Sequence, residues 1–335
     1  MEFKRRGGNA FRKLAEPSIP ETKNFTRASE MLYARRNLGK MVDVSENAKR
    51  ATAAAKKYYE SDSTQAFYKQ LWGGEFIHIG LFDELTEEES KLDDLPKLAR
   101  ASEIATDELL RRCFQPGDPD PSAMTLVDLG SGTGGTARIA AKRYGCKVIC
   151  INIATRENEE NRRLSKEAGL EDKVIIPGER SYFNTELPAE SVDVVFTQDA
   201  LIHAGLDRHK VLAEGTRLLK PGGLFVMSDL MQSDEATFEQ MKQAYNRLHL
   251  ENFGTLAGYK KAGVDNGLEL VDYTERTRNM TMHYKLILDI YLSRGHELTD
   301  TTDELFDSNV KGLTDCKEMC ANNLMHWGYF VFRKP

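Results

Sequence analysis

The stretch Val127-Asp128-Leu129-Gly130-Ser131-Gly132-Thr133-Gly134-Gly135 constrains this chain more than any other. It follows an apolar run, Met124 to Leu129, and precedes a helical pattern from Thr136 to Tyr144. That order reads as strand, glycine loop, helix. Glycines at 130, 132 and 134 permit a tight turn and let a ligand lie against bare backbone. The helix start then offers unpaired N–H groups and a positive dipole end to an anion. A charged small molecule is expected here.

Two cofactor classes fit such a loop. Gly130, Gly132 and Gly135 satisfy the G-x-G-x-x-G dinucleotide pattern. That pattern calls for an acidic residue about 20 positions on, to bind a ribose. The next strand, Lys147 to Ile151, ends instead at Asn152, with no carboxylate there. An asparagine amide bonds a ribose hydroxyl less strongly than a carboxylate does. The asparagine weakens the NAD reading and leaves a nucleoside ligand open.

Strands are expected at 124–129, 147–152, 173–177, 192–197 and 222–228, alternating with helices at 134–144, 156–168 and 207–218. Such alternation gives an α/β, mostly parallel sheet covered on both faces. Ligands then sit at the strand carboxyl ends near the switch point. Gly130, Asn152 and Gln198 all follow such ends and should converge. Beyond 230 the pattern gives a helix at 235–253, a strand at 268–274, helices near 281–293 and 300–323, and a closing strand at 327–333. Before the sheet come helices at 45–60 and 63–71, an aromatic glycine-bounded loop at 72–82 and an amphipathic helix at 95–114. This divides the chain into an arm (1–44, mobile or packed), a helical lid and acceptor region (45–96) and a cofactor-binding domain (97–335) with a helical insertion at about 281–323.

The net charge of −6 among 335 residues argues against nucleic acid as a partner, because a polyanion needs a basic footprint. No run of 18 apolar residues marks a membrane helix. Five cysteines, none in a C-x-x-C pair, read as reduced thiols of a cytoplasmic protein, with no zinc spacing and no metal site expected. The first 40 residues are locally basic without an apolar signal core, so an organelle-targeting segment and a basic arm both stay open. The expected partners are small molecules, and the expected state is a monomer or homodimer.

The downstream segments carry a resemblance. Ser191 to Phe196 reads as a buried strand running into Thr197-Gln198-Asp199-Ala200-Leu201-Ile202-His203, then a helix, then Leu219-Lys220-Pro221-Gly222-Gly223-Leu224. With the glycine loop, this set resembles the class I S-adenosylmethionine (SAM)-dependent methyltransferases over roughly residues 97 to 230. Their fold is a Rossmann-like sheet with the last strand antiparallel.

Further segments resemble the sarcosine and dimethylglycine N-methyltransferases over about residues 55 to 334. They are Lys57 to Phe82, Cys150-Ile151-Asn152-Ile153-Ala154, Gln198-Asp199-Ala200 with His203, and Trp327 to Lys334. The resemblance implies methylation of sarcosine and dimethylglycine to glycine betaine, with S-adenosylhomocysteine as the second product. It assigns the cofactor to Asp128, Gly130, Ser131, Gly132, Gly134, Asn152, Ile153, Ser181, Tyr182 and Gln198. Departures at Glu179-Arg180-Ser181-Tyr182 and Asp229-Leu230 lie near the pocket and leave other acceptors open: another small amine, a thioether acid or phosphoethanolamine. A non-catalytic methyltransferase-like binding protein is the reading from another class.

Methyl transfer needs an acceptor lone pair in line with the methyl group. An amine protonated at neutral pH must first lose its proton. His203 is the first proton acceptor, with Asp199 on the same face if the segment is helical, and His78 is the second. A cationic product wants ring faces, and Tyr58, Tyr59, Tyr68, Trp72, Tyr284 and Trp327 are candidates, Trp327 also reading as core. For an acceptor carboxylate the candidates are Arg180, Arg276 and Arg278.

Overall fold

A computed structural model describes residues 45–72, 75–248, 250–298 and 302–335. The expected arm at 1–44 lies outside the described residues. The chain begins with two short helices, α1 (Glu46–Tyr59) and α2 (Asp62–Leu71), each opened by a serine whose hydroxyl accepts a first-turn N–H. A loop leads to the long α3 (Asp94–Arg112), which buries one apolar face through Leu98, Ala101, Ala105 and Leu109.

The sheet follows: β1 (Thr125–Leu129), α4 (Gly135–Tyr144), β2 (Lys147–Ile151), α5 (Thr155–Glu167), β3 (Val174–Ile175), β4 (Val192–Gln198), α6 (Arg208–Leu218) and β5 (Leu219–Gln232). Then come α7 (Phe238–Leu248), β6 (Gly254–Thr255), α8 (Leu256–Asp265), β7 (Glu269–Glu275), α9 (Thr277–Arg294), α10 (Asp303–Ala321) and β8 (Met325–Arg333). The strand order is β3-β2-β1-β4-β5-β8-β7, with the short β6 beside β5. Strands β1 to β5 pair parallel, and β8 runs antiparallel to both its neighbours. Burial on both faces explains the near-continuous apolar runs of β1 and β4. One core cluster lies between the sheet and α3, α4, α9 and α10, the other beneath α6 and α8.

The order reverses direction between β1 and β4, which opens a crevice at their carboxyl ends. Helix α1 packs over that crevice against the 3-10 segment Leu201–Asp207, which is kinked at Gly205. Two expectations change. The helix expected over 235–253 stops at Leu248, and α8 was not read from the sequence. The chain leaves helical form there because Asn252 accepts from the Arg208 guanidinium through both its side chain (2.6 Å) and its backbone carbonyl (2.7 Å).

Candidate active site

The glycine loop closes onto the end of β2. The N–H groups of Gly130 and Ser131 both donate to the Ile151 carbonyl, at 2.8 and 3.2 Å. Gly132 sits at φ +51°, and a side chain added there would meet nothing within 4 Å. Gly134 sits at φ +79°, and an added Cβ would lie 2.1 Å from the Asn161 side chain. The two glycines therefore serve different ends: Gly132 keeps space open, and Gly134 lets α4 pack on α5. The Ser131 hydroxyl is buried without a hydrogen-bond partner.

The loop forms one wall of a cavity that opens to solvent. Of the expected cofactor residues, Gly130, Ser131, Gly132, Asn152, Ile153, Tyr182 and Gln198 line it. Asp128, Gly134 and Ser181 do not line it; Asp128 is buried in β1, where burial pushes its carboxyl up to about 8. Gly135 lines it where Gly134 was expected.

The sequence reading missed Glu157, in the first turn of α5 and also on the wall. The Asn152 amide donates to its carboxylate at 2.9 Å. Burial pushes the Glu157 carboxyl up to about 7. It is the next carboxylate after Asn152 in the chain, and that was the signal available. A carboxylate of the kind sought at the strand end thus stands one helical turn further on. Gln198 is fixed by Thr136, which donates to its carbonyl at 2.9 Å, and by its own donation to Thr106 at 3.2 Å.

These groups fit SAM. The bare loop and the α4 N-terminus suit a carboxylate, Asn152 with Glu157 suits a diol, and Ile153 with Tyr182 suits a flat apolar ring.

The lid supplies the other wall. Ala55 and Tyr59 of α1 reach the cavity, and Ile77 and His78 follow from the loop after α2. Glu75 accepts from Arg138 of α4 at 2.6 Å, which holds that loop over the glycines. His203 lines the cavity, and its Nε2 is 3.0 Å from the Tyr59 hydroxyl. Burial, reinforced by the Arg208 charge, lowers the His203 pKa to about 4, so the ring is neutral at physiological pH. His78 Nε2 is 3.4 Å from the Thr136 hydroxyl, and burial lowers its pKa to about 4 too.

The same-face pairing expected of 199 and 203 is not formed. Asp199 takes φ +54°, so the chain turns before the next helical turn begins. Its buried carboxylate instead accepts from Ile79 N–H (3.0 Å), the Ser228 hydroxyl (2.6 Å) and the Trp327 indole (2.8 Å). Asp199 thus ties the lid loop to β5 and β8, and Trp327 is spent on it within the core.

Of the expected aromatic cage, Tyr59 alone lines the cavity. Tyr58 and Tyr68 stand beside it, with ring centres 5.1 and 6.1 Å away. Trp72 lies 5.3 Å from Tyr68, and Tyr284 6.4 Å from Trp72. The rings form a continuous band leading from His203 into the protein. Arg180 lines the cavity but pairs with Glu186. Arg276 pairs with Glu84 at 3.5 Å, and Arg278 is exposed in the first turn of α9.

A family model described as a methyltransferase domain matches residues 127–227. Sarcosine/dimethylglycine N-methyltransferase of Aphanothece halophytica is 32% identical over 290 residues, covering 85% of this chain and 99% of that one. Dimethylglycine N-methyltransferase of Parasynechococcus marenigrum is 35% identical over 286 residues, covering 85% and 97%. A crystal structure of a candidate sarcosine dimethylglycine methyltransferase from Galdieria sulphuraria superposes with a TM-score of 0.70 at 26% identity, covering 82% of this chain and 98% of that one. Fold and site together define a class I SAM-dependent methyltransferase. Within that class, the chain belongs to the sarcosine/dimethylglycine N-methyltransferase family. Among the described residues no helix is long and apolar enough to cross a membrane.

Proposed function

We propose that this enzyme methylates the nitrogen of sarcosine and of dimethylglycine, yielding glycine betaine. The observation that carries the reading is the junction of Tyr59 and His203 at the cavity wall, backed by the ring band of Tyr58 and Tyr68. SAM, when bound, supplies an electrophilic methyl group on a sulfonium. Ring faces attract an ammonium group, so the band suits both the protonated acceptor and the quaternary product. The neutral His203 imidazole takes the ammonium proton, directly or through the Tyr59 hydroxyl, and frees the lone pair. That pair forms the new N–C bond as the C–S bond breaks. Dimethylglycine yields a product with no proton to lose. Sarcosine yields a tertiary ammonium that must be deprotonated again before a second transfer. His78, on the same wall, is the alternative proton acceptor. The acidic chain works on small molecules in the cytoplasm, as a monomer or homodimer.

The test is methyl transfer from labelled SAM to glycine, sarcosine, dimethylglycine and phosphoethanolamine in parallel, with products resolved by mass. Betaine from sarcosine and dimethylglycine is the expected result. Transfer to phosphoethanolamine alone would overturn the reading.

A further inference from the structure

The ring band ends in three hydrogen-bond donors that have no acceptor. Trp72 is 5% exposed, and its indole N–H has no partner. His283, on α9, is fully buried, and its Nε2 has no partner. Its Nδ1 accepts from the Gly80 N–H at 3.1 Å. A backbone N–H can only donate, so Nδ1 carries no hydrogen and the neutral ring carries its hydrogen on Nε2. Burial lowers the His283 pKa to about 3, which keeps the ring neutral. Arg247, on α7, is partly buried; its Nε has no partner, and its guanidinium lies over the Tyr284 ring and beside the Cys316 thiol.

The three side chains surround one ring. From the centre of Tyr284, Trp72 is 6.4 Å away, His283 6.2 Å and the Arg247 guanidinium carbon 5.8 Å. Trp72 and His283 are 4.9 Å apart. Buried donors cost free energy unless an acceptor meets them. The other cations near the cavity are already committed: Arg180 to Glu186, Arg138 to Glu75, and Arg208 to Asn252 and backbone carbonyls. The trio also lies close to the methyl-transfer site. His78 faces the cavity, and Gly80, which binds His283, is two residues on, at most about 7 Å along the chain.

We propose that Trp72, His283 and Arg247 form the subsite that takes the carboxylate of the methyl acceptor. The inference rests on the acceptor reading above and adds what distinguishes an amino acid from a plain amine. A carboxylate offers two oxygens with about four lone-pair directions, enough for an indole N–H, an imidazole N–H and a guanidinium. The trio carries one formal positive charge, which matches a carboxylate better than a phosphate dianion.

The experiment is calorimetric binding of dimethylglycine, acetate and phosphoethanolamine to the full chain with S-adenosylhomocysteine present. It compares the parent protein with Trp72→Phe and Arg247→Met, and adds turnover of dimethylglycine against 2-dimethylaminoethanol. Trp72→Phe removes one N–H and keeps the ring. Dimethylglycine affinity should fall about tenfold in Trp72→Phe and about a hundredfold in Arg247→Met, given the weight of neutral and charge-assisted bonds. Selectivity for dimethylglycine over 2-dimethylaminoethanol should fall with it, while S-adenosylhomocysteine affinity reports an intact fold. Unchanged dimethylglycine affinity in both variants, or an equal loss for 2-dimethylaminoethanol, would overturn the subsite. Failure of the parent protein to bind either carboxylate would overturn it as well. If acetate binding is lost in the variants but dimethylglycine is not methylated, the acceptor reading falls and the subsite stands.

Discussion

The Tyr59 hydroxyl meets His203 Nε2 at 3.0 Å, joining the helical lid to the segment that follows β4. This contact puts the proposed proton acceptor and the first ring of the cage at one point on the cavity wall.

Removing either partner should therefore affect turnover more than cofactor binding. His203→Ala should lower kcat about a hundredfold or more, within the range of a lost general base. Tyr59→Phe should lower it about tenfold, since one hydrogen bond is lost and the ring remains. Equilibrium dialysis should give near-parent SAM affinity for both. Unchanged turnover in His203→Ala would move the proton acceptor to His78.

The buried His203 ring also affects acid stability. Its pKa is about 4 when folded against an ordinary 6.5, so the unfolded chain binds the extra proton between those values. Stability then falls as pH drops from 6.5 to 4, with a slope of at most about 1.4 kcal/mol per pH unit from this group. His203→Gln removes that slope. Thermal melts from pH 4.5 to 8 should show the parent's margin over the variant shrinking toward acid and flat above pH 7.5. A margin that grows toward acid would mean the native ring is protonated and stabilising.

The two glycines of the loop should separate cofactor binding from folding. Gly132→Ala places a methyl in open space at a left-handed residue, so it should cost only about 1–2 kcal/mol of stability. SAM affinity should drop at least about tenfold, because that space faces the cavity. Gly134→Ala drives a methyl into the Asn161 side chain and should lower the melting temperature far more. Calorimetry with SAM beside thermal melts reads both, and the reverse pattern would refute the division of roles.

Glu157 predicts a pH-dependent cofactor affinity. Burial raises its carboxyl to about 7, so ionisation, and with it stronger acceptance from a diol, grows as pH rises from 6 to 8. SAM binding should tighten several-fold across that range in the parent and stay flat in Glu157→Gln. Equal slopes in the two proteins would remove Glu157 from the ribose site.

Asp199→Asn keeps a residue that tolerates φ +54° but turns one acceptor oxygen into a donor facing Ile79, Ser228 or Trp327. The cost should be about 1–3 kcal/mol, the weight of an unmet buried donor. Because Ile79 adjoins His78, KM for the acceptor should rise more than KM for SAM. Denaturant melts and two-substrate kinetics check the pair of effects.

The sequence by itself determined the sheet, because strand and helix periods repeat through 124–228 and local chemistry suffices for each element. It also determined the glycine loop and the cofactor class, since Gly130, Ser131, Gly132 and Asn152 line the cavity directly at the ends of the strands that precede them in the chain. The direction in which Asp199 points was decided only by tertiary structure. Its spacing from His203 suggested a helix face, but φ +54° and donors from three distant segments hold its carboxylate, while the residue still lines the cavity with His203. Glu157 lay hidden as an ordinary first-turn carboxylate until α5 packed beside the loop. The donors of Trp72, His283 and Arg247 come from the lid, α9 and α7, with no shared motif. Side chains so far apart in the chain meet only because lid and insertion helices close on the same end of the sheet, and a hydrogen bond left unmet is visible only once burial has removed the water.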